Sequence, residues 1–329
     1  MRIHYDYPQT LNELKRYFTD MTDILKDIEI VQEIRYGPVL FVGDLHGFID
    51  NLFYAINLAE KNQVNSVVFL GDYIDRGDFQ LQTLISILYI YSVSICRKKQ
   101  IQQPKRPNFI NEQILDRYPF GIIALRGNHE TYDMNINSGF KENLEEIYGF
   151  SNFPKHEINM IYNSLSLIAI TSWGTCSIHG GVPYIPENFT YKEFFNQLKL
   201  LKTPIHLNLD YNLISNPLEQ FCSELLWNDP IDDDSDEVIF DYNIRGPNIY
   251  TFNKGALMRF FKELGFKRIV RAHESTRGAY QSLWNNKLIH IFSAYPYFGY
   301  SKTPAFYLEF DNGTGKIINH KNEVLKEIK

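Results

Sequence analysis

Three short apolar runs, each closed at once by a glycine or a charged residue, constrain this chain more than anything else in it: Val39–Val42 before Gly43, Val67–Leu70 before Gly71, and Ile122–Leu125 before Arg126. Runs of this length, rich in Val, Ile, Leu and Phe, read as strands buried on both faces. Helical segments at Asn51–Lys61 and Leu81–Val93 separate them. That alternation predicts an α/β fold, in which ligand-handling residues gather at the carboxyl ends of strands. Later the pattern shifts to Leu167–Thr171, Thr175–Ile178, Lys267–Val270, Leu288–Phe292, Phe306–Phe310 and Ile317–Asn319, all strand-like, with fewer helices between them. The expectation is a β-sandwich of two mixed sheets, packed face to face and flanked by helices.

Ahead of this core, Thr10-Leu-Asn-Glu13 has the form of a capping box. Leu11, Leu14, Phe18, Met21, Leu25 and Ile28 then recur at helical spacing, so one or two helices are expected before Ile34. The chain divides into an N-terminal helical segment, residues 1–36, packed on one large domain, residues 37–329. With 329 residues, 44% of them hydrophobic, a sizeable core can be buried. A net charge of -6 argues against a nucleic-acid partner held through its phosphates. Cys96, Cys176 and Cys222 lack any Cys-x-x-Cys pairing and read as reduced, buried thiols. The start carries Arg2, His4 and Asp6 in place of an apolar signal region, and no stretch reaches about 18 uninterrupted apolar residues. A cytoplasmic protein without membrane contact is the simplest expectation. The basic segment 97–118 and the acidic segment 231–241 read as surface loops. Asp232, Asp234 and Asp236 mimic the opening of a calcium loop, but Glu237 stands where glycine is needed and Asn243 where the bidentate glutamate belongs, so no calcium site is expected there.

The strand ends carry chemistry. Asp44 and His46 lie two residues apart after the first run, a spacing that sends both side chains the same way on an extended backbone. The second run ends in Gly71-Asp72 and the third in Gly127-Asn128-His129, while His179 opens a His-Gly-Gly and His273 follows Arg271-Ala272. Five strand ends thus each deliver an oxygen or nitrogen ligand.

In order, the boxes are Gly43-Asp-Leu-His-Gly47, Gly71-Asp-Tyr-Ile-Asp-Arg-Gly77, Leu125-Arg-Gly-Asn-His-Glu130, His179-Gly-Gly181, Leu225-Leu-Trp-Asn-Asp-Pro230, Arg245-Gly246, Arg271-Ala-His-Glu274 and Phe292-Ser-Ala294. Together they resemble the phosphoprotein phosphatases, the family of the protein phosphatase 1 and 2A catalytic subunits and their archaeal relatives. His-Gly-Gly-Val-Pro and Arg-Ala-His-Glu point to an archaeal member. The resemblance implies that Asp44, His46 and Asp72 hold one divalent metal, and that Asp72 bridges to a second held by Asn128, His179 and His273. Carboxylates, imidazoles and an amide oxygen suit manganese, iron or zinc, with manganese the expectation in vitro.

The implied activity is hydrolysis of phosphoserine and phosphothreonine in proteins, with phosphotyrosine as a further substrate and regulatory subunits as expected partners. Phosphate monoesters need up to about 10^21-fold acceleration, whereas a general acid supplies about 10^2 to 10^4. Metals and cations must therefore carry most of the task, and the resemblance implies direct attack by a hydroxide bridging the two metals. It also assigns phosphate binding to Arg76 and Arg245, whose guanidinium groups match phosphate geometry, and the general acid to His129 with Asp75 as its partner. One box departs from the family's usual Phe-Ser-Ala-Pro-Asn-Tyr-Cys-Gly and reads Phe292-Ser-Ala-Tyr-Pro-Tyr-Phe-Gly299. Tyr297 takes the place of the active-site tyrosine, with Tyr295 as an alternative, and Phe298 replaces the cysteine. A toxin that bonds covalently to that cysteine finds no target here. Two other readings share much of the site: a dinucleotide or phosphodiester hydrolase, against which Asp75-Arg76-Gly77 and Leu225–Pro230 weigh, and a non-catalytic binding module, against which the full ligand set weighs.

Overall fold

Both faces of the strand Val39–Val42 are covered, and the two coverings differ. Val39 and Phe41 pack with Val68, Leu70, Ile289 and Ile291, whereas Leu40 and Val42 pack with Val67, Phe69 and helical side chains. This period of two explains the unbroken apolar run: every position is inward for one layer or the other. The computed structural model describes residues 8–107, 110, 120–149, 153–186, 188–299 and 302–329.

The first sheet has the order β15 (Val324–Ile328), β14 (Gly315–Ile318), β13 (Phe306–Glu309), β2 (Val39–Val42), β3 (Ser66–Phe69), β4 (Gly121–Ala124). Within it β2, β3 and β4 are parallel and the C-terminal strands antiparallel. The second has the order β1 (Val31–Ile34), β5 (Ile168–Thr171), β6 (Thr175–Ser177), β10 (Arg268–Arg271), β12 (Leu288–Ile291), β11 (Tyr280–Leu283). It is mixed as well, with β5 and β6 antiparallel and β6, β10 and β12 parallel. A third, small sheet joins β7 (Asp229–Pro230), β9 (Tyr250–Phe252) and β8 (Phe240–Tyr242).

One apolar layer lies between the two large sheets. A second fills the outer side of the first sheet, beneath α1 (Leu11–Ile24), α2 (Ile49–Lys61), α3 (Gln80–Lys99), α5 (Phe140–Tyr148) and α6 (Lys155–Asn163). A third lies outside the second sheet, beneath α7 (Tyr191–Leu200), α8 (Pro217–Trp227) and α9 (Lys254–Leu264). Short α4 (Tyr132–Ser138) leads from β4 into α5. The result is the expected pair of mixed sheets flanked by helices.

Several expectations need correction. Among the described residues one helix precedes Ile34, within the one or two expected, but the helical segment does not run to residue 36: α1 stops at Ile24, Asp27 turns through positive φ (59°), and Val31–Ile34 forms β1, paired with β5. Pairing with a strand far along the chain outweighs local helical spacing there. Arg97 does not open a loop, because Arg97, Lys98 and Lys99 form the last turn of α3, where cations suit the negative end of the helix dipole. Of the 97–118 segment, residues 108–109 and 111–118 lie outside the described residues, as does the polar start at residues 1–7. The acidic loop ends sooner than expected, since Phe240 and Asp241 already belong to β8. No helix among the described residues is long and apolar enough to cross a membrane.

The capping box at α1 is formed: Thr10 Oγ1 accepts from Glu13 N at 3.2 Å, and Glu13 Oε2 accepts from Thr10 N at 3.1 Å. Leu14, Phe18 and Met21 then face the core, with Phe18 fully buried. We expect Phe18→Ala to cost about 3–5 kcal/mol of stability in urea unfolding, and Thr10→Ala about 1 kcal/mol. Values near zero for Phe18→Ala would show that α1 does not share the domain's core.

Candidate metal and phosphate site

The carboxyl ends of β2, β3, β4, β6 and β10 converge, and the turns that follow them carry polar side chains into one buried cluster. Asp44 and His46 follow β2, Asp72 follows β3, and Asn128 and His129 follow β4. His179 and His273 come from the second sheet, after β6 and β10. The backbone at this junction is unusual. His46, Asp72, Asp75, Arg76 and His273 all have left-handed φ, between 45° and 83°. Such conformations cost a non-glycine residue about 1–3 kcal/mol each, and they persist where surrounding contacts over-determine them. Gly71 and Gly127 allow the turns to meet: a Cβ on Gly127 would lie 2.2 Å from Asp72 Oδ1. Glu130 ties these turns together. Its Oε2 accepts from the N–H groups of Asp72 and Gly127, both at 2.8 Å, and its Oε1 from that of Tyr73 at 2.8 Å.

The cluster is crowded with acceptors. His179 Nδ1 lies 2.8 Å from the Leu70 carbonyl and must donate to it, which turns the Nε2 lone pair toward Asn128 Oδ1 at 2.9 Å and Asp72 Oδ1 at 3.4 Å. His273 Nδ1 lies 2.8 Å from the same Asn128 oxygen, and its Nε2 is buried without a hydrogen bond. Asp44 Oδ2 is likewise buried without one. His46 Nδ1 donates to Ile74 O at 2.9 Å and leaves Nε2 toward Asp72 Oδ2, 3.8 Å away. Lone pair faces lone pair throughout, an arrangement that cations between the groups make favourable.

The titration behaviour agrees for Asp44, Asp72 and His46, whereas at His179 burial lowers the pKa but Asp72 outweighs it and raises it to about 8. Burial, and then the neighbouring Asp72, push the Asp44 carboxyl up to about 7. Burial opposes ionisation of Asp72 too, but His179, His129 and His46 hold it well below the usual carboxylate range. Burial and the nearby His129 lower His46 to about 3, so it is a neutral imidazole ready to ligate. Among the described residues, the groups of His, Asp, Glu or Cys close enough to share an ion are His46–Asp72–His129 and Asp72–His179–His273. Both contain Asp72, and the first holds His129 where the resemblance implied Asp44.

His129 belongs to the first of these groups through Nε2, 4.0 Å from Asp72 Oδ2, and is anchored on its other side. Its Nδ1 lies 2.6 Å from Asp75 Oδ2, which also receives Asn135 Nδ2 at 3.4 Å, while Asp75 Oδ1 accepts from Phe140 N at 3.0 Å. Burial disfavours the charged ring, but Asp72 and Asp75 outweigh it and raise the pKa of His129. Tyr297 stacks on His46 with centroids 5.3 Å apart and hydrogen-bonds Arg76, whereas Tyr295 contributes its backbone oxygen to Asn51. Of the two tyrosines, Tyr297 is the one at the cluster. Phe298 is 74% exposed beside it. Arg76 is exposed, with Nη1 on Ser138 O at 3.3 Å.

Asp229 and Glu130 received no role from sequence reasoning, although both lie in quoted boxes. Asp229 Oδ2 accepts from Arg245 Nε at 2.6 Å and from Asn243 Nδ2 at 2.9 Å, while Oδ1 accepts from fully buried Arg271 at 3.0 Å. Two arginines in neighbouring boxes with no assigned counter-ion were the available signal. Asp229 fixes Arg245 near His273, whose Nε2 is 3.8 Å from Asp229 Oδ1.

Residues 37–276 match the calcineurin-like phosphoesterase family. The chain belongs to that family. Calcineurin-like phosphoesterases similar to it include a protein phosphatase 2A catalytic subunit of Dictyostelium discoideum, 30% identical over 84% of this chain and 75% of that one. The serine/threonine-protein phosphatase BSL2 of Arabidopsis thaliana is 29% identical over 80% of this chain, which spans only 23% of that longer protein. Among solved structures, a protein serine/threonine phosphatase from Saccharomyces cerevisiae, similar to human phosphatase PP5, superimposes with a TM-score of 0.62 at 20% identity, covering 94% of this chain and 82% of its own. That likeness fixes the metallophosphoesterase fold.

Replacing Glu130 by Gln sets an amide N–H against backbone donors in at least one of three hydrogen bonds. We expect a loss of about 1–3 kcal/mol in thermal or urea unfolding. Metal affinity, followed by titration of the chelated protein, should weaken about 10–100-fold as Asp72 loses its support. Unchanged metal binding would separate Glu130 from the cluster's geometry.

Proposed function

We propose that this chain is a metal-dependent protein phosphatase acting on phosphoserine and phosphothreonine, with Asp44, His46 and Asp72 holding one divalent ion and Asp72, Asn128, His179 and His273 the other. The observation that carries the reading is the pair His129–Asp75, 2.6 Å apart, whose imidazole reaches into the first of two groups of His and Asp that overlap at Asp72. When bound, the metals supply positive charge to the phosphoryl oxygens and acidify water. Arg76 and Arg245 bind the remaining oxygens through their guanidinium groups, and Asp229 keeps Arg245 in place. Tyr297, beside Arg76, lines the same pocket of charge. As a water oxygen bonds to phosphorus and the P–O bond to the side chain breaks, His129 Nε2 delivers its proton to the departing seryl or threonyl oxygen. Asp75 stays ionised, fixes the tautomer and stabilises the protonated ring before transfer.

Manganese is the proposed metal in vitro, with iron and zinc accepted by the same ligands. The reading carries with it a cytoplasmic setting, an archaeal source, regulatory subunits and a secondary activity on phosphotyrosine, all motivated by composition and motif.

A manganese-supplemented panel of phosphoserine, phosphothreonine and phosphotyrosine peptides, run against diadenosine polyphosphates, tests the assignment. We expect turnover of the first two; strong preference for the dinucleotide would overturn it. His129→Ala should keep its metal content by elemental analysis yet lose about 10^2- to 10^4-fold in kcat on an alkyl phosphate. Asp72→Ala should lose metal as well as activity. Equal turnover by His129→Ala and the parent protein would remove the general acid from the scheme.

A further inference from the structure

A strip of exposed and half-buried apolar side chains begins one residue from Arg245. Ile244 is 104% exposed and Tyr242 83% exposed, although both neighbour the buried anchor Asn243, which bonds Asp229 and accepts from Arg245 N. The strip continues across the small sheet. Tyr242 stacks on Tyr250 with centroids 5.8 Å apart, Tyr250 meets Tyr184 at 5.3 Å, and Tyr184 meets Phe240 edge-on at 5.5 Å. Tyr242 and Tyr250 are paired across β8 and β9, so both point to one face.

Both ends of the strip are tied to the reaction centre. Tyr184 follows His179 by five residues, and Tyr242 precedes Arg245 by three. The backbone beneath is fixed, since Tyr250 N donates to Asn228 Oδ1 at 2.8 Å and Tyr184 N donates to buried Glu224. Asp229, which holds Arg245, pairs with Thr251 next to Tyr250, so the strip adjoins the carboxylate that fixes this arginine. Glu237 and Asp241, both exposed, border it with negative charge. Rigid aromatic faces open to solvent and continuous with a binding site are a common means of gripping an apolar side chain.

We propose that the strip Tyr184–Phe240–Tyr242–Ile244–Tyr250 is a specificity subsite that receives an apolar side chain, aromatic or branched aliphatic, within a few residues of the phosphorylated position in a substrate segment free of acidic residues. The subsite rests on the phosphatase reading above. Its effect is confined to extended substrates, because a small aryl phosphate fills only the clamp of Arg76 and Arg245.

The test uses the whole chain with manganese and phosphoserine peptides that carry one phenylalanine at successive positions on either side, against an all-alanine parent peptide. At the matching position the protein should show about tenfold higher kcat/KM, mainly through lower KM. Tyr242→Ala and Ile244→Ala should each abolish most of that preference and leave p-nitrophenyl phosphate hydrolysis unchanged, which also reports intact folding. Indifference of the parent protein to phenylalanine, or preference retained in both variants, overturns the subsite and leaves the phosphatase reading standing. Hydrolysis of p-nitrophenyl phosphate with none of any phosphopeptide overturns both. A sedimenting dimer dispersed by Tyr242→Ala would assign the strip to self-association instead and equally overturn the proposal.

Discussion

The mutual repulsion of buried acceptors around Asp72 is the constraint on which the rest of this structure depends. Two carboxylates, an amide oxygen and three imidazoles converge within a few ångströms, and Asp44 and His273 each keep a buried atom with no hydrogen-bond partner. No folding force assembles such groups for their own sake, since burying an unpaired polar atom costs about 1–3 kcal/mol. The sheets, the glycine contacts and the Glu130 bridge hold them there against that cost. Local backbone strain at five neighbouring residues belongs to the same balance. Stability given up at one point and recovered from the surrounding layers is the usual signature of a site shaped by chemistry rather than by packing.

Outward from this centre, the supports come in successive tiers. Glu130 acts on backbone, by collecting three N–H groups from two turns. Asp75 and Asp229 act on side chains, each orienting one cationic or protonated group toward the centre and each held in turn by further donors. Arg271 is the deepest of these donors: fully buried, it neutralises Asp229 while its Nε donates to Gly180 O beside His179. Arg245 and the turn that carries His179 are therefore positioned by one shared network, and truncating any member displaces more than one side chain.

Much of this was legible in the sequence because the strands of the first sheet are buried on both sides. Continuous apolar runs such as Val39–Val42 arise only where both faces are covered, and the polar residues after them then stand out as a set. Where one face meets solvent or the partner strand is distant, the signal fades. Val31–Ile34 falls inside the segment expected to be helical, because its pairing with Ile168–Thr171 is set by contacts more than a hundred residues away. The end of α3 was misread because its basic residues suit a helix terminus as well as a loop. The polar residues that converge at the strand ends stand out through their types and boxes, whereas Glu130 and Asp229 do not, since an acid that serves as a hydrogen-bond acceptor has no spacing rule of its own. Similarly, nothing in the pattern Phe240-Asp-Tyr242 announces that Phe240 and Tyr242 join Tyr184 and Tyr250 in one chain of ring contacts.

The division of the proposed ligands between the two sheets has a wider meaning. Asp44, His46, Asp72 and Asn128 belong to turns of the first sheet, and His179 and His273 to turns of the second, so the second ion would be gripped from both halves of the sandwich at once. Such an ion acts as a rivet through the layered core. Its occupancy then becomes a thermodynamic variable of the whole domain, adding about 2.7 kcal/mol to the folded state when free metal stands at a hundred times its dissociation constant. Cellular metal supply would thus govern how long the protein survives as well as how fast it works.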